Sequence, residues 1–564
     1  MLSLSQGLYI ILLSELPSSD YISFHEFIIM RTFIFLLFLF VLETVRASDP
    51  YPRNESIDIR HYQFKLELND STNRIAGEAA IDIRFKKSVT AFELDLAGVN
   101  AAGLGMRVTD VMVDHQPVIF SHQNDRLKIQ LPAPIQAGAE KKFVIRYSGI
   151  PQDGLIISKN KFGERTFFGD NWPNRAHHWL PTIDHPYDKA TCEFIVTAPE
   201  QYTIIGTGEK MEESAIGKNL KITHWKTSVL LPTKVMVIGA ARFAIEYEGE
   251  INKVPLQSWV YPQNRAEGFL DYSIAAGPLD FFSKNIAPYP YEKLANVQST
   301  TRYGGMENAG NIFYYENSVT GKGNIERLVA HEIAHQWFGN SASEADWYHV
   351  WLSEGFATYF SNLYFENKYG SKRLMTEMET DREKVIEYFK KDQTPIVNTS
   401  ITDINKVLST NTYQKASWVL HMLRHEVGDQ KFWEGTREYY RQFQLSNALT
   451  DDFRKVMENA SGKDLKAFFD QWIFKAGHPR LEVTWRYDLK QKQVRMIVEQ
   501  KQEQPAAFPL DVGLTNASGV TIEKIKISTR KQEFLIPSAQ KPVSLTLDPH
   551  VWLLFEGQVN EASR

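Results

Sequence analysis

The stretch VAHEIAHQWFGN, residues 329–340, decides how the rest of the chain is read. His331 and His335 stand four positions apart, with Glu332 directly after the first. On a helix, positions i and i+4 share a face, so both imidazoles can point at one ion. Zinc takes N, O or S donors at about 2.0–2.3 Å, and a catalytic zinc has three protein ligands and an open position. Glu332 is then placed to act as general base toward water, the role this pattern gives its glutamate. Five residues are too few to stand alone, and a histidine pair satisfied without metal is the plain alternative. A third ligand is needed.

The next apolar-rich segment offers one. WLSEGFATY, residues 351–359, carries Glu354, with 18 residues between it and His335. The intervening SASEADWYHV is long enough for the chain to turn and lay a second helix against the first. Glutamates on solvated helix faces are common, and Glu344 and Glu366 are expected to be of that kind. A free carboxylate in so apolar a stretch is costly, however, and that favours a ligand. His331, His335 and Glu354 would leave one position open, a catalytic arrangement and not a closed structural one.

Working outward, 564 residues exceed one hydrophobic core and imply several domains. A net charge of −5 gives no reason to expect nucleic acid or an anionic membrane as partner. No stable protein partner is implied either. The one cysteine, Cys192, can form no internal disulfide and sits in a strand-like alternation, so a core position is expected. Residues 30–47 read as a signal peptide: Arg31, an apolar run from Thr32 to Leu42, and small residues before Ser48. Residues 1–29 are then expected to precede the true start. Export without disulfides fits a periplasmic or extracellular bacterial protein.

Alternation at period two runs through YQFKLEL, GEAAIDIRF, KKFVIRYSGI and CEFIVTAP, predicting a β domain over 48–250. Helical spacing then takes over in IERLVAHEIAHQWFG, WLSEGFATYFSNLYFENKYG, QKASWVLHMLRHEVG and DDFRKVMENASG, predicting a second domain over 251–478. Gly339 and Gly370 are natural helix stops. Alternation returns in RLEVTWRYDL and QVRMIVEQ, predicting a third, all-β domain over 479–564.

Two further segments mean little by themselves: YGGMENAG, residues 303–310, and TYQKASWVLHML, residues 412–423. A Gly-Gly is usually a turn and a tyrosine usually packing. Taken with HEIAHQWFGN and with WLSEGFATY at its 18-residue gap, they resemble the zinc aminopeptidase family (gluzincin metallopeptidases) that includes aminopeptidase N and leukotriene hydrolase. RAHHWLPTIDHPYDKAT, residues 175–191, is similar to the segment where that family's N-terminal domain meets its catalytic domain. The likeness extends over most of the chain.

The resemblance implies a multi-domain α+β fold. A β saddle or sandwich would precede a thermolysin-like α/β zinc domain and a C-terminal β-sandwich, and the family's large helical C-terminal domain is not expected. It implies one zinc ion on His331, His335 and Glu354, Glu332 as base, and Tyr413 as donor to the tetrahedral oxyanion. Gly304, Gly305 and Met306 would hold an extended peptide, and Glu307 would anchor its α-ammonium. The expected activity is release of the N-terminal residue from peptides. Ser353 departs from the family's asparagine before the third ligand, which bears on the hydrogen bonds around it. Aligning back from Pro173 and Ala176 puts Asp170 where the family places a glutamine at the amine site, so Asp170 is expected to assist Glu307. The rival expectations are an endopeptidase or epoxide hydrolase on the same scaffold, or a non-catalytic peptide-binding or adhesion protein.

Overall fold

Ile57, Ile59, Tyr62, Phe64 and Leu66 are buried along one strand, Ile57–Glu67, while the residues between them are more exposed. The change of phase after Ile59 coincides with a register shift at His61, as a bulge requires. The computed structural model describes residues 48–517 and 519–562; the expected signal peptide and the residues before it lie outside the described residues. Ile57–Glu67 lies inside an eight-stranded sheet, antiparallel to Ile75–Phe85 and parallel to Ala190–Pro199. A four-stranded sheet (Leu155–Lys159, Arg165–Gly169, Thr203–Gly206, Ile238–Ala241) and a three-stranded one (Val89–Asp95, Ile119–Gln123, Arg126–Ile135) complete this sheet-rich N-terminal domain. Cys192 is free and fully buried in its core, and burial pushes its thiol up.

The strand Ala244–Ile251 pairs with Val254–Val260 in the next sheet. The architecture therefore changes before residue 244, earlier than the expected break at 250. That five-stranded sheet runs Ala244–Ile251, Val254–Val260, Leu294–Ser299, Asn311–Tyr315, Gly305–Met306, so the Gly-Gly-Met segment forms its edge. Helices α1 (Arg265–Tyr272) and α2 (Ala276–Asn285) lie within the sheet's connections, and the rest of the domain is helical: α3 (Glu326–Ala334), α4 (Trp351–Tyr369), α5 (Ser371–Phe389), α6 (Ala416–Val427), α7 (Asp429–Phe443), α8 (Thr450–Ser461) and α9 (Lys466–Trp472). Helix α4 buries every residue from Trp351 to Phe365, so it is the central element, packed against α3, α5 and α6. A helix apolar on all sides belongs in a core. Gly370, at φ 88°, ends it.

The C-terminal domain is two sheets, one of four strands and one of three. Val483, Val494 and Met496 from the first share a core with Leu510, Val512 and Ile527 from the second. Among the described residues no helix is long and apolar enough to cross a membrane.

Candidate active site

His331 and His335 project from one face of α3 and its last turn, and Glu354 from the first turn of α4. The two Nε2 atoms are 3.1 Å apart, and Glu354 Oε2 lies 3.5 Å from the first and 3.2 Å from the second. Donors at zinc–ligand distance on tetrahedral corners are about 3.3 Å from one another, so the triangle is the size a single zinc demands. His335 Nδ1 faces the Phe338 carbonyl at 3.2 Å and Ser353 Oγ at 3.1 Å. The Nδ1 proton must go to that carbonyl, which leaves the Nε2 lone pair turned to the triangle. Ser353, which stands for the asparagine of the resemblance, thus supports the second histidine. Glu354 Oε2 has no hydrogen-bond partner among the described residues, although it is buried. An orphaned carboxylate oxygen facing two imidazole nitrogens is the donor set of a cation.

The electrostatics agree. Three buried glutamates, Glu307, Glu332 and Glu354, surround the two imidazoles. Burial raises the carboxyls of Glu307 and Glu332, and the neighbouring carboxylates add to the rise. Burial also works against ionisation of Glu354, but the facing imidazoles, His335 foremost, hold its carboxyl below the ordinary range. A group that stays ionised beside imidazoles is suited to ligation, and one raised by burial is suited to exchange protons.

Gly305, Met306, Glu307, His331, Glu332, His335, Glu354 and Tyr413 line one cavity together with Trp172, Tyr303 and Leu408. A Cβ at Gly305 would run into the Glu332 carboxylate, so the glycine lets the sheet edge lie directly against the base. Gly304 does not line the cavity; its carbonyl accepts the Tyr315 N–H at 3.0 Å and holds the edge segment in the sheet. Glu307 Oε1 has no hydrogen-bond partner among the described residues. Tyr413 lies in a single π turn, Asn411–Lys415, ahead of α6. Its ring stacks on His331 with centroids 6.0 Å apart. Burial pushes its phenol well above its usual range, so it keeps the proton that a donor needs.

Asp170 is not where the resemblance put it. Its side chain is fully buried and pairs with Arg175, while its other oxygen accepts from Thr301 Oγ1 at 3.3 Å and from Arg302 N at 3.2 Å. A buried carboxylate needs such partners, and a loop arginine five residues on supplies the charge. Asp170 therefore secures the strand end that leads into Gly304 and stays off the cavity.

Sequence inspection missed Gln336 and Asn340. Gln336 Nε2 and Asn340 Nδ2 both donate to the Glu307 carbonyl, at 2.9 and 2.5 Å, and Gln336 Oε1 accepts the Gly310 N–H at 3.0 Å. The only available signal was that both are polar residues in an otherwise apolar turn after His335. Gly339, at φ 115°, lets that turn close over His335 and Ser353.

Residues 271–472 match the peptidase family M1 domain and residues 59–235 the peptidase M1 N-terminal domain. Among curated relatives, mouse glutamyl aminopeptidase (Mus musculus) is 28% identical over 364 residues, 61% of this chain and 38% of that protein. Aminopeptidase 2 of Candida albicans is 24% identical over 517 residues, 85% of this chain and 54% of that protein. The chain thus spans about half the length, or less, of these relatives. Among solved structures, Legionella pneumophila aminopeptidase A in complex with aspartic acid superimposes with a TM-score of 0.78 at 16% identity, covering 92% of this chain and 61% of that one. An M1 zinc metallopeptidase from Deinococcus radiodurans, bound to a Tyr-Ser-Ala substrate, gives 0.65 at 22%, covering 74% and 94%. With both of its domain types matched in order over most of the described residues, and with the zinc-sized donor triangle lying inside the second, the chain belongs to peptidase family M1.

Proposed function

We propose that this chain is a zinc-dependent aminopeptidase that removes single residues from the free N-terminus of peptides. The observation that carries it is Glu307: a buried carboxylate with an unpartnered oxygen, one residue beyond the Gly305–Met306 edge, in the same cavity as the donor triangle and Glu332. An α-ammonium, with a pKa of about 7.7–8.0, would satisfy that oxygen. Only the first peptide bond would then reach the metal site.

When bound, zinc would polarise the scissile carbonyl and make water a better nucleophile at neutral pH. Glu332 takes a proton from the attacking water and hands it to the leaving amine. Tyr413 donates its hydroxyl proton in a hydrogen bond to the oxygen on which negative charge develops. The Gly305–Met306 edge aligns the peptide, and Glu307 fixes its end. Asp170 contributes by position, through Thr301 and Arg302.

Offering one short peptide in free and N-acetylated forms tests this. Stepwise loss of N-terminal residues from the free form alone supports it. Equal cleavage of both forms at an internal bond overturns it in favour of an endopeptidase.

The same reading extends to architecture and location. The catalytic domain would be of thermolysin type, the N-terminal sheets a saddle and the C-terminal sheets a β-sandwich. Residues 30–47 would direct export, leaving the mature chain to begin near Ser48. N-terminal sequencing of the exported protein checks this, and a retained Phe33–Phe40 run would exclude cleavage.

A further inference from the structure

The connection from His335 to Glu354 is held from outside at three places, each time by the N-terminal domain. Lys189 Nζ donates to the carbonyls of Asn340 at 3.1 Å and Ser341 at 2.7 Å. Lys234 Nζ pairs with Glu344 Oε1 at 2.6 Å, both side chains being sealed from solvent, so Glu344 is a buried strand residue and not the solvated helix glutamate expected. The third hold is made by residues 49–53.

Asp49 is 3% exposed. Its Oδ2 accepts from Trp347 N at 2.8 Å, from His185 Nε2 at 2.9 Å and from Arg53 at 3.3 Å. Its own N–H donates to Asp346 Oδ2 at 2.9 Å. Arg53 closes the group on Asp346 at 3.0 Å and the Ala345 carbonyl at 3.2 Å. Tyr51 stacks on His185 with centroids 4.7 Å apart. This carboxylate lies outside the cavity of the candidate active site, and the mechanism gives it no work.

What it holds is the start of the helix that presents Glu354. Trp347–His349 form one 3₁₀ turn, capped by Asp346, whose side chain accepts Tyr348 N at 3.0 Å, and the turn runs into α4. Three hydrogen bonds follow one another along the chain. Trp347 N donates to Asp49, Val350 N to the Trp347 carbonyl at 3.2 Å, and Glu354 N to the Val350 carbonyl at 3.0 Å. The first N–H groups of a helical run have no partners within it and carry its positive end, so a carboxylate there both caps and stabilises. Glu354 is only the fourth residue of α4. A ligand so near a helix start depends on that start being fixed.

We propose that Asp49 is a positioning residue for Glu354: by bonding the Trp347 N–H it fixes the start of α4 and with it the third metal ligand. This rests on His331, His335 and Glu354 being a zinc site. It also makes the segment 49–53 part of the metal site's scaffold.

The test uses the full zinc-loaded chain, unaltered and as Asp49→Ala and Asp49→Asn. Zinc release into excess chelator is followed with a metal indicator, and kcat and KM are measured on a free-amine peptide. Asp49→Ala is expected to release zinc on the order of tenfold faster, with kcat reduced and KM within about twofold. Asp49→Asn keeps an acceptor but loses the charge that strengthens it, so it should release zinc at an intermediate rate. Zinc held as long by Asp49→Ala as by the unaltered chain overturns the proposal, as does a loss confined to KM. If Asp49→Ala does not fold, release from Asp49→Asn at the unaltered rate counts against it in the same way. Failure of the unaltered chain to bind zinc would overturn the zinc site itself, whereas equal retention by all three overturns only the role of Asp49.

Discussion

Gln336 hydrogen-bonds the Glu307 carbonyl across 2.9 Å, so the turn that closes α3 and follows His335 is tied directly to the residue proposed to grip the substrate amine. Gln336 is fully buried, and its oxygen is also occupied, by Gly310 N–H. Removing it leaves the buried Gly310 N–H without its acceptor, which typically costs about 1–3 kcal/mol, and leaves the Glu307 carbonyl held by Asn340 alone. Gln336→Ala is therefore expected to raise KM for a free-amine peptide by roughly tenfold, on the scale of about 1.4 kcal/mol per decade. Steady-state kinetics check this, and a fall in kcat at constant KM would mean that the tie serves the metal and not the amine grip.

Glu332→Gln should leave the metal donors intact, since the glutamate points at the sheet edge and is not one of the three convergent donors. Zinc content should stay at one ion per chain while turnover drops by about 10²–10⁴, the usual worth of a general base. Metal analysis beside initial rates decides it, and normal turnover would remove the assignment.

Tyr413→Phe removes one hydroxyl from a ring that stays stacked on His331. A lost oxyanion donor costs about 10²–10³ in kcat. KM should move little, because the bond is made to charge that develops only on the way to the transition state. An equal loss in binding would mean that the hydroxyl contacts the resting substrate.

Asp188, which does not line the cavity, offers a stability test. Burial, with the Asp58 charge adding to it, pushes its carboxyl up to about 8. An unfolded aspartate ionises near pH 3.9. The folded chain therefore keeps the proton that the unfolded chain loses, so the stability it contributes is complete below about pH 4 and is lost as pH rises toward 8. Asp188→Asn should flatten that fall, which for one proton is at most about 1.4 kcal/mol per pH unit. Melting curves at pH 5, 6, 7 and 8 compare the two chains; parallel pH dependence would show that Asp188 is ionised in the fold.

What could be read from the sequence was what is local. His331 and His335 are one helical turn apart, and the burial of α4 is written in the run from Trp351 to Phe365. Gly370 ends α4 at positive φ, as expected, whereas α3 stops at Ala334 and Gly339 instead turns the chain five residues further on. Glu354 was legible because the gap from His335 suits a turn between packed helices. Asp170 was misplaced because a gapless alignment gives a position and no partner: Arg175 and the Arg302 N–H claim its oxygens. The break expected at 250 falls inside the strand Ala244–Ile251, because alternation marks strands without naming their sheet. Gln336 and Asp49 went unseen for a related reason. Each acts on a residue distant in sequence, 29 and 298 positions away respectively, and no spacing rule spans such distances.

The sheet edge that meets the cavity is only two residues long, Gly305–Met306, paired on its inner side with Phe313 and Tyr314. Its outer side can register about one peptide unit of an incoming chain. Most of the grip would then fall on the chain's terminal amine, and residues further along would add little. Each cut removes the very group that was held and exposes a new one, so the shortened peptide must be caught afresh. Such an enzyme would work distributively, letting intermediates accumulate in solution.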